Sequence, residues 1–288
     1  MAYTSGQQYI RGIDIDKLAK GFADEEFIFK RFLTVTPTSA REIRWYQKTA
    51  GVLDSTDTSG VTTSQIANTA ELAMPVVVEQ SWTRRTSYVR KYFAESPWIS
   101  FEDINDSDPD ILATNVRDIT RAVANQVDKR IYSQMSGSFA LSGNAGGTGW
   151  GDATNGNPIL DLLSGSALIR GQGYDISNLT VIMNQAEYKK LLNFIISTKG
   201  SSIPSFASDK VGTGVLTKLM NNNIIVSANA DASTIIQFVP QRAATWKTFT
   251  PITAITKDEP GIGTKIRVWE EGEILVTDIN AGCTIKGC

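Results

Sequence analysis

One segment of the chain carries a sustained helical pattern of apolar residues, at steps of three or four positions. These residues are Leu112, Val116, Ile119, Val123, Val127 and Ile131. Apolar side chains at this spacing share one face of an α-helix. Just before them, Asp108 is a good N-cap residue and Pro109 suits the first helical position. The pattern predicts one helix over residues 108–135, roughly 40 Å long at 1.5 Å per residue.

The stretch from residue 38 to residue 92 has a different pattern, with alternating positions at its two ends and a polar middle. Ile43 and Trp45 alternate with other residues, as do Val76 and Val78, which predicts two half-exposed strands. The polar middle, residues 50–72, is rich in Ser, Thr, Gly, Asp and Ala. We therefore predict a long hairpin with a polar tip. Because a two-stranded ribbon is marginal in water by itself, we expect the surface of another molecule to cover it.

The rest of the sequence predicts shorter elements of both kinds. Residues 1–13 have no periodicity and are interpreted as an extended arm. One or two short helices follow within residues 14–32, where the apolar positions are Leu18, Phe22 and Phe29. Further helices are predicted at residues 159–169, 184–195 and 215–220. Strands are predicted at residues 179–183, 223–227, 234–239 and 246–254.

Two glycine- or acid-rich segments are interpreted as turns or loops. Residues 136–158 are rich in glycine, and the segment Gly147-Thr148-Gly149-Trp150-Gly151 within them superficially resembles a phosphate-binding loop but follows the long helix. A phosphate-binding loop would instead link a strand to a helix N-terminus, so a surface loop is the better interpretation. Near the end of the chain, a hairpin is predicted to pair residues 265–269 with residues 274–277 across a turn at residues 270–273.

Composition narrows the classes of function. The chain has 288 residues, no histidine and a formal net charge of −2. The absence of histidine excludes Ser-His-Asp and Cys-His catalysis and histidine-based metal sites. The near-neutral charge argues against a protein whose whole surface binds nucleic acid, because such a surface needs an excess of Lys and Arg. Cys283 and Cys288 are too few for a disulfide scaffold or a zinc site, so we expect free thiols.

No segment predicts export or membrane insertion. The N-terminus lacks a basic stretch followed by an apolar run, and no apolar run is long enough to span a bilayer. We expect a protein that is kept in a cytoplasm-like compartment.

The segment Trp269-Glu270-Glu271-Gly272-Glu273 concentrates three carboxylates beside an aromatic ring. Paired carboxylates could hydrolyse glycosides if they flanked a groove. At the predicted hairpin turn, however, like charges would stay solvated. We therefore expect no catalytic residues, cofactor or metal in this chain.

Basic and aromatic residues are interleaved where the predicted hairpin returns to the body of the protein. Arg84, Arg85 and Arg90 lie close to Trp82 and Tyr88. Such a mixture can bind single-stranded nucleic acid, but it also suits a protein–protein interface. The predicted tip has the opposite charge, so head-to-tail packing on an identical neighbour is favoured. The candidate interface residues are Arg44, Lys48, Asp54, Asp57, Glu71, Arg84, Arg85 and Arg90.

The order of these parts resembles the tailed-bacteriophage major capsid protein family, which has the α+β Hong-Kong-97-type fold. The segment Trp98–Glu102 leading into the long helix is similar to that family's approach to its spine helix. Residues 178–188, a strand followed by a capped helix, resemble part of its wedge-shaped domain. Residues 241–246 and 285–287 also fit the end of the chain. The resemblance covers nearly the whole sequence through the order of its parts.

The resemblance implies a division into four parts. These are an N-terminal arm (1–33), an extended loop (34–95), a peripheral domain with the spine helix (96–137 and 265–279) and an axial domain (138–264 and 280–288). Some relatives join a lysine to an asparagine of a neighbour. Lys48 lies on the extended loop, but no matching partner motif is present, so this chemistry is not carried over.

The resemblance also implies a function. The chain would form hexamers and pentamers of an icosahedral phage head that encloses double-stranded DNA by non-specific contact, without contact to a membrane. A portal and a separate scaffolding protein are implied as partners, and the virion is implied as the location after assembly in the host cytoplasm. Two alternatives stay open: an encapsulin-like nanocompartment with protein cargo, and a phage-associated or surface-binding enzyme that uses carboxylates.

Overall fold

The chain forms two compact units in the computed structural model. The described residues are 15–23, 27–49, 70–74, 81–106, 111–144, 149–152, 156–198 and 218–288. The first unit comprises Met1–Ile43, Thr86–Ile131 and Trp246–Leu275, and the second comprises Arg44–Arg85, Tyr132–Thr245 and Val276–Cys288. These units follow from packing within one subunit, and the four-part division given above stays a prediction.

Helices and strands both contribute to the fold, as predicted for the α+β class. The helices of the described residues are α1 (15–23), α2 (Phe101–Asp106), α3 (Ile111–Ser138), α4 (Pro158–Gly171) and α5 (Gln185–Asn193). A 3-10 turn covers Lys30–Phe32, and a π-helical turn, Phe194–Thr198, continues α5. The first strands are β1 (Thr34–Pro37), β2 (Glu42–Lys48), β3 (Trp82–Tyr88), β4 (Arg90–Glu95), β5 (Leu141–Asn144) and β6 (Leu179–Met183). The later strands are β7 (Lys218–Leu219), β8 (Asn222–Val226), β9 (Thr234–Phe238), β10 (Thr245–Glu259), β11 (Gly263–Leu275) and β12 (Gly282–Lys286).

The predicted long helix is confirmed as α3, which has 28 residues. Four of the six apolar residues that predicted it are buried: Val116, Val123, Val127 and Ile131. The helix continues through Gly137 and ends at Ser138, whereas the sequence predicted an end before that glycine. The predicted N-cap residue Asp108 lies outside the described residues.

A four-stranded sheet in the order β1-β10-β11-β4 belongs to the first unit. β11 pairs antiparallel with β4, with Trp269 opposite Phe93 and Glu271 opposite Lys91. Ile266 and Val268 of β11 are fully buried, whereas Lys265, Arg267 and Trp269 are partly exposed. Alternate side chains of a strand point to opposite faces, so the even-numbered positions here supply the core.

The final hairpin predicted from the sequence is wrong. β11 is one continuous strand of 13 residues that includes the four residues predicted as a turn. Its hairpin partner is β10, which has 15 residues, and Ile262 N donates to Glu259 O at 3.1 Å in the turn between them. Acidic residues and glycine are common in turns, but here distant cations allow the acids to lie inside a strand.

The second unit contains a six-stranded sheet in the order β5-β12-β9-β6-β8-β7. β6 lies inside this sheet, between β9 and β8, and all five of its residues are buried. The prediction of a buried strand at residues 179–183 is therefore confirmed, as is the N-cap at Asn184, whose Oδ1 accepts from Ala186 N at 3.1 Å. α4, β8 and β9 also lie within one or two residues of their predicted positions.

Smaller predictions need correction. Residues 218–219 form a strand and not part of a helix, because Met220 and Asn221 both have positive φ angles, as a tight hairpin turn to β8 requires. Leu141–Asn144 forms β5 at the edge of the sheet, where the sequence predicted no strand. In α1, the buried positions are Ile15, Ala19 and Ala23, while Leu18 is exposed.

The predicted hairpin is present at its base as a two-stranded sheet of β2 and β3. Val76, Val78 and residues 50–69 of the predicted polar tip lie outside the described residues. In the part of the chain that the structure describes, no helix is long and apolar enough to cross a membrane.

Candidate assembly surface

The pairing of β2 with β3 defines the base of the hairpin. Thr49 N donates to Ser81 O at 3.1 Å, and Val89 N donates to Arg41 O at 2.9 Å. These two bonds define an antiparallel register in which Tyr46 lies opposite Arg84. Tyr46 and Arg84 are both exposed, and other large side chains on the same face of the two strands are exposed as well. Those are Arg44, Trp82 and Tyr88.

This composition is characteristic of protein interfaces. Arginine, tryptophan and tyrosine are the residue types most enriched among the side chains that dominate binding energy. β2 and β3 form a sheet of two strands only, and the exposure of these side chains shows that the described chain does not cover them. We call the exposed face of β2 and β3, with Arg44, Tyr46, Trp82 and Arg84, the ribbon face.

The other predicted interface residues occupy different environments. Arg85 Nε donates to Gln47 Oε1 at 3.1 Å, which ties the two strands together. Arg90 Nε lies 3.2 Å from Glu273 Oε2 in the first unit. Asp54 and Asp57 lie outside the described residues, whereas Glu71 is exposed.

Lys48 differs from the others because it is only 5% exposed. Its Nζ lies 3.4 Å from Tyr174 Oη, which in turn donates to Asp278 Oδ2 at 2.7 Å. Burial lowers the pKa of Lys48, and Asp278 opposes that shift. Backbone bonds reinforce this contact, since Lys48 N donates to Thr277 O at 2.8 Å. Lys48 therefore anchors the base of the hairpin within the second unit.

A short turn between β2 and β3 presents two uncovered apolar side chains. Ala73 N donates to Ala70 O at 3.1 Å, which closes the turn. Leu72 and Met74 have relative accessibilities of 107% and 92%. Leu72 also has a φ angle of +64°, in the left-handed region that costs a non-glycine residue roughly 1–2 kcal/mol. We call residues 70–74 the exposed turn.

The three carboxylates at residues 270–273 are buried, contrary to the prediction of a solvated cluster. Lys30 Nζ donates to Glu270 Oε1, and Arg130 Nη2 lies 2.7 Å from Glu273 Oε1. Glu271 lies 3.1 Å from Arg41 and 3.8 Å from Lys91. All of these groups belong to the first unit. The sequence carried no local signal for this cluster, because the cations come from residues far away along the chain.

The same unit contains a fourth buried acid, Asp128 of α3. Its two oxygens accept hydrogen bonds from Ile28 N at 3.0 Å and Phe29 N at 3.4 Å. Burial raises the pKa of Asp128 to about 6, and the two backbone hydrogen bonds and Lys30 oppose that shift. Burial also raises the pKa of Glu270 and of Glu273. Each acid is engaged by a cation or by backbone amides, so the cluster serves to hold segments of the unit together.

An open groove of about 610 Å³ lies in the first unit. Its apolar lining includes Phe27, Val35 and Ile252, and its charged lining consists of Lys20, Lys30 and Arg31. Among the described residues, no carboxylate lines it. We call it the basic groove.

The two cysteines are buried and unpaired. Burial raises the pKa of Cys283 to about 11 and that of Cys288 to about 12, which keeps both as unreactive thiols near neutral pH. Among the described residues, no three metal-binding side chains of the His, Cys, Asp and Glu types form a group that could hold a metal ion.

The fold defined by these two units is that of a viral capsid protein. The structure superimposes on the virus-like particle from Pyrococcus furiosus with a TM-score of 0.63, 12% identity and coverage of 96% of this chain and 99% of that chain. It matches a structure from Mycobacterium phage Che8 with a TM-score of 0.64, 13% identity and coverage of 90% of both chains. The capsid of cyanophage P-SCSP1u gives a TM-score of 0.65 and 11% identity, with coverage of 90% of this chain and 88% of that chain.

The chain belongs to the phage capsid protein family, whose model matches residues 83–279. It is a phage major capsid protein with the Hong-Kong-97-type fold, a structural protein that builds a capsid shell and is located in the virion. No curated protein matches the sequence.

Proposed function

We propose that the chain is the subunit of hexamers and pentamers in an icosahedral phage head that encloses double-stranded DNA. The observation that carries this proposal is the ribbon face, which exposes aromatic and arginine side chains on a hairpin with little core of its own. A contact repeated head-to-tail between identical subunits closes into rings. Rings of five and six subunits are the units from which an icosahedral shell is built.

We propose that the predicted interface residues act in two groups. Arg44, Arg84 and Arg85 contact the adjacent subunit directly, and Asp54, Asp57 and Glu71 supply the opposite charge from the far end of the hairpin. Lys48 acts indirectly, since its contact with Tyr174 holds the base of the hairpin. Arg90 acts in the same indirect way through its ion pair with Glu273.

In this proposal the chain is divided into the four predicted parts. Residues 1–33 form the arm and residues 34–95 the extended loop. Residues 96–137 and 265–279 form the peripheral domain, and residues 138–264 and 280–288 form the axial domain. The net charge of −2 suits a shell that encloses DNA without binding it specifically. A portal and a separate scaffolding protein complete the proposed set of partners, and assembly takes place in the host cytoplasm.

A nanocompartment with protein cargo is the second candidate function. It is favoured by the coverage of 99% of the chain that forms the Pyrococcus furiosus virus-like particle. The enzyme alternative has no comparable support, because the carboxylates on which it depended are buried and paired.

Electron microscopy of the expressed protein tests the proposal. We expect closed particles with fivefold and sixfold clusters of subunits as the protein concentration is raised. A subunit that stays monomeric under all assembly conditions contradicts the proposal. The contents of particles purified from the native source separate the two candidates, because double-stranded DNA supports the phage head and a packaged enzyme supports the nanocompartment.

A further inference from the structure

The helix α4 is apolar around most of its circumference, but the subunit covers it on one side only. Asp161 and Arg170 are the only charged residues among its 14. Its buried side packs against β5, β9 and β12 of the second unit, where Gln237 Nε2 donates to Ser166 Oγ at 2.7 Å. A helix that is apolar all round is normally buried on every side. The uncovered side of α4 therefore has the composition of a buried surface.

Six residues of α4 recur at helical spacing on this uncovered side. Three of them are leucines with relative accessibilities of 56%, 44% and 40%, and the other three are small and exposed. The one hydroxyl among them is satisfied within the helix, since Ser164 Oγ donates to Leu160 O at 2.9 Å. Burial of this side therefore leaves no side-chain polar group without a hydrogen bond. We call these six residues the α4 face: Leu160, Leu163, Ser164, Ala167, Leu168 and Gly171.

The large and small residues of the α4 face are arranged so that the face complements its own reverse. An antiparallel pair of α4 helices, related by a twofold axis between residues 165 and 166, places Leu160 opposite Gly171 of the other copy and Ser164 opposite Ala167. The two remaining leucines lie at the same level on either side of this centre. Small residues at the centre allow two helices to approach within about 8–10 Å. A twofold contact requires a self-complementary surface of this kind.

The charges of α4 do not oppose this pairing. Successive residues of a helix are about 100° apart, so Asp161 and Arg170 lie outside the α4 face, on opposite flanks. Asp161 also accepts a hydrogen bond from Trp150 Nε1 at 2.7 Å within its own subunit. In the antiparallel pair, the two copies of each charged residue are about 13 Å apart along the helix axis, at 1.5 Å per residue. Like charges are therefore not brought together.

The size of the α4 face indicates in which setting a second copy would cover it. A helix of 14 residues is about 21 Å long and about 10 Å wide, which is far less than the roughly 800 Å² per partner of a stable interface. Two isolated subunits would not stay paired through such a contact. In a capsid shell, other contacts already hold the copies side by side, and a small contact then adds to them at a high effective concentration.

We propose that α4 of one subunit pairs antiparallel with α4 of a second copy in the assembled shell. The leucines of each α4 face are buried by the other copy, and Ser164 and Ala167 lie at the centre of the contact. The inference goes beyond the proposed function, because it concerns a surface other than the hairpin and requires a twofold relation between subunits in addition to rings of five and six. It also explains why three leucines lie on the outer side of a helix.

Cysteine crosslinking of a single variant tests the pairing. Ser164→Cys subunits are assembled and oxidised, and a crosslinked dimer should appear on a non-reducing gel, because the twofold axis brings position 164 of both copies together. Cys283 and Cys288 are buried, and Lys189→Cys, at an exposed position of α5, is the matched control that should not crosslink. Particles that form without the Ser164→Cys crosslink overturn the inference and leave the proposed function intact. An unmodified protein that forms no particles contradicts both.

A second pair of cysteine variants tests the antiparallel register. Leu160→Cys and Gly171→Cys subunits should crosslink when they are mixed, since these positions face each other across the contact. Neither variant should crosslink by itself, because the two copies of each position are about 16 Å apart along the helix axis. Gly171 tolerates a side chain in the isolated subunit, since a Cβ atom there meets nothing within 4 Å. A crosslink in Gly171→Cys alone, without one in the mixture, contradicts the register.

The close approach of the two helices is tested at Ala167. Ala167→Leu should raise the subunit concentration needed for half-assembly by about five- to tenfold, because the larger side chain overpacks the centre of the contact. Ala167→Ser keeps the residue small and is the matched control. The unfolding curve of the isolated subunit should not change in either variant, since Ala167 is exposed there. If Ala167→Leu assembles as readily as the wild type or more so, the inference is wrong.

Discussion

Asp128 shows how one buried side chain can join segments that are distant in sequence. Its carboxylate accepts hydrogen bonds from the backbone amides of residues 28 and 29, and these bonds are lost if the acid is removed. The charged groups that face it are Lys30 and Glu270. Lys30 favours the ionised acid, whereas Glu270 and burial oppose it. The outcome is a pKa of about 6, well above the ordinary value of about 3.9 for aspartate.

This pKa predicts the direction of a pH effect on stability. A folded-state pKa above the unfolded value means that the folded protein binds the proton more tightly. The stabilisation is therefore fully present below about pH 4 and is lost as the pH rises through about 6. The loss amounts to roughly 3 kcal/mol, at about 1.4 kcal/mol for each pKa unit. Asp128→Asn is neutral at every pH, so it should remove this part of the dependence of stability on pH.

Urea unfolding of the isolated subunit between pH 4.5 and pH 7.5 measures the effect. The difference in unfolding free energy between the wild type and Asp128→Asn should shift in favour of the variant as the pH rises. Asp118→Asn, on an exposed position of the same helix, is the matched control and should follow the wild type. Parallel curves for Asp128→Asn and the wild type would show that this acid does not titrate in the window.

The pair formed by Lys30 and Glu270 has a different energetic consequence. Lys30→Met leaves the fully buried Glu270 without its cation, and removal of one partner of a buried pair costs about 3–5 kcal/mol. The double variant with Glu270→Leu should recover most of that loss, since two apolar groups need no compensation. Unfolding free energies of the two single variants and the double variant provide the measurement. A double variant that is as unstable as Lys30→Met would assign the cost to packing instead of charge.

At the scale of elements, β11 is the strand on which the first unit depends. It pairs with β4 along one edge, and its buried side chains include Val268 and Glu270. Gly272 is required within it because of a close neighbour. A Cβ atom at this position would lie 2.5 Å from Trp246 Cζ2 and 2.8 Å from Lys247 O. Both contacts are closer than real Cβ atoms tolerate, so the ring or the backbone would have to move.

Two glycine-to-alanine changes should therefore have opposite effects. Gly272→Ala should lower the unfolding free energy by about 1–3 kcal/mol, the usual cost of overpacking. Gly137→Ala in α3 should raise it by about 0.5–1 kcal/mol, because a Cβ atom there meets nothing within 4 Å and alanine favours the helix. Thermal or urea unfolding of the two variants measures the direction of both changes in unfolding free energy. A stabilising Gly272→Ala would mean that Trp246 can move aside without cost.

The carboxylates of β11 also explain why a strand was interpreted as a turn. Three acids and a glycine within five residues are normally found where water can reach them. Here Arg130 of α3 and Lys30 of the 3-10 turn compensate two of the charges, and neither is near them in sequence. The long helix and β6 were predicted correctly because their signals are local. Apolar spacing identified the first, and a continuous apolar run with a following N-cap identified the second.

At the scale of the whole molecule, we expect the hairpin to be needed for assembly but not for folding. Deletion of residues 51–70 removes the predicted polar tip and leaves β2, β3 and the Lys48 anchor. We expect a folded, soluble subunit that no longer assembles correctly. Circular dichroism and urea unfolding report on the fold, and electron microscopy reports on assembly. Loss of folding would show that the tip belongs to the core of the subunit.

Arg84→Glu and Arg85→Glu test separately whether the ribbon contributes to assembly and whether it contributes to stability. Arg84→Glu should weaken assembly and leave the unfolding free energy within about 0.5 kcal/mol of the wild type, as is usual for a surface change. Arg85→Glu also loses the hydrogen bond to Gln47, so it should lower stability by about 1 kcal/mol as well. Sedimentation measures assembly, and urea unfolding measures stability. Equal losses in both properties for Arg84→Glu contradict its place in the interface.

The sequence by itself determined the long helix, the buried strand β6 and the first strand of the hairpin, and the order of its parts gave a resemblance to the capsid fold. Periodicity and capping act over a few residues, so they can be read along the chain. Only the tertiary structure decided that Lys48 is an anchor, that Ile15, Ala19 and Ala23 form the buried face of α1, and that the acids of β11 are buried. Whether a charged group is buried depends on cations that folding brings to it from distant segments, because without them its desolvation would be too costly.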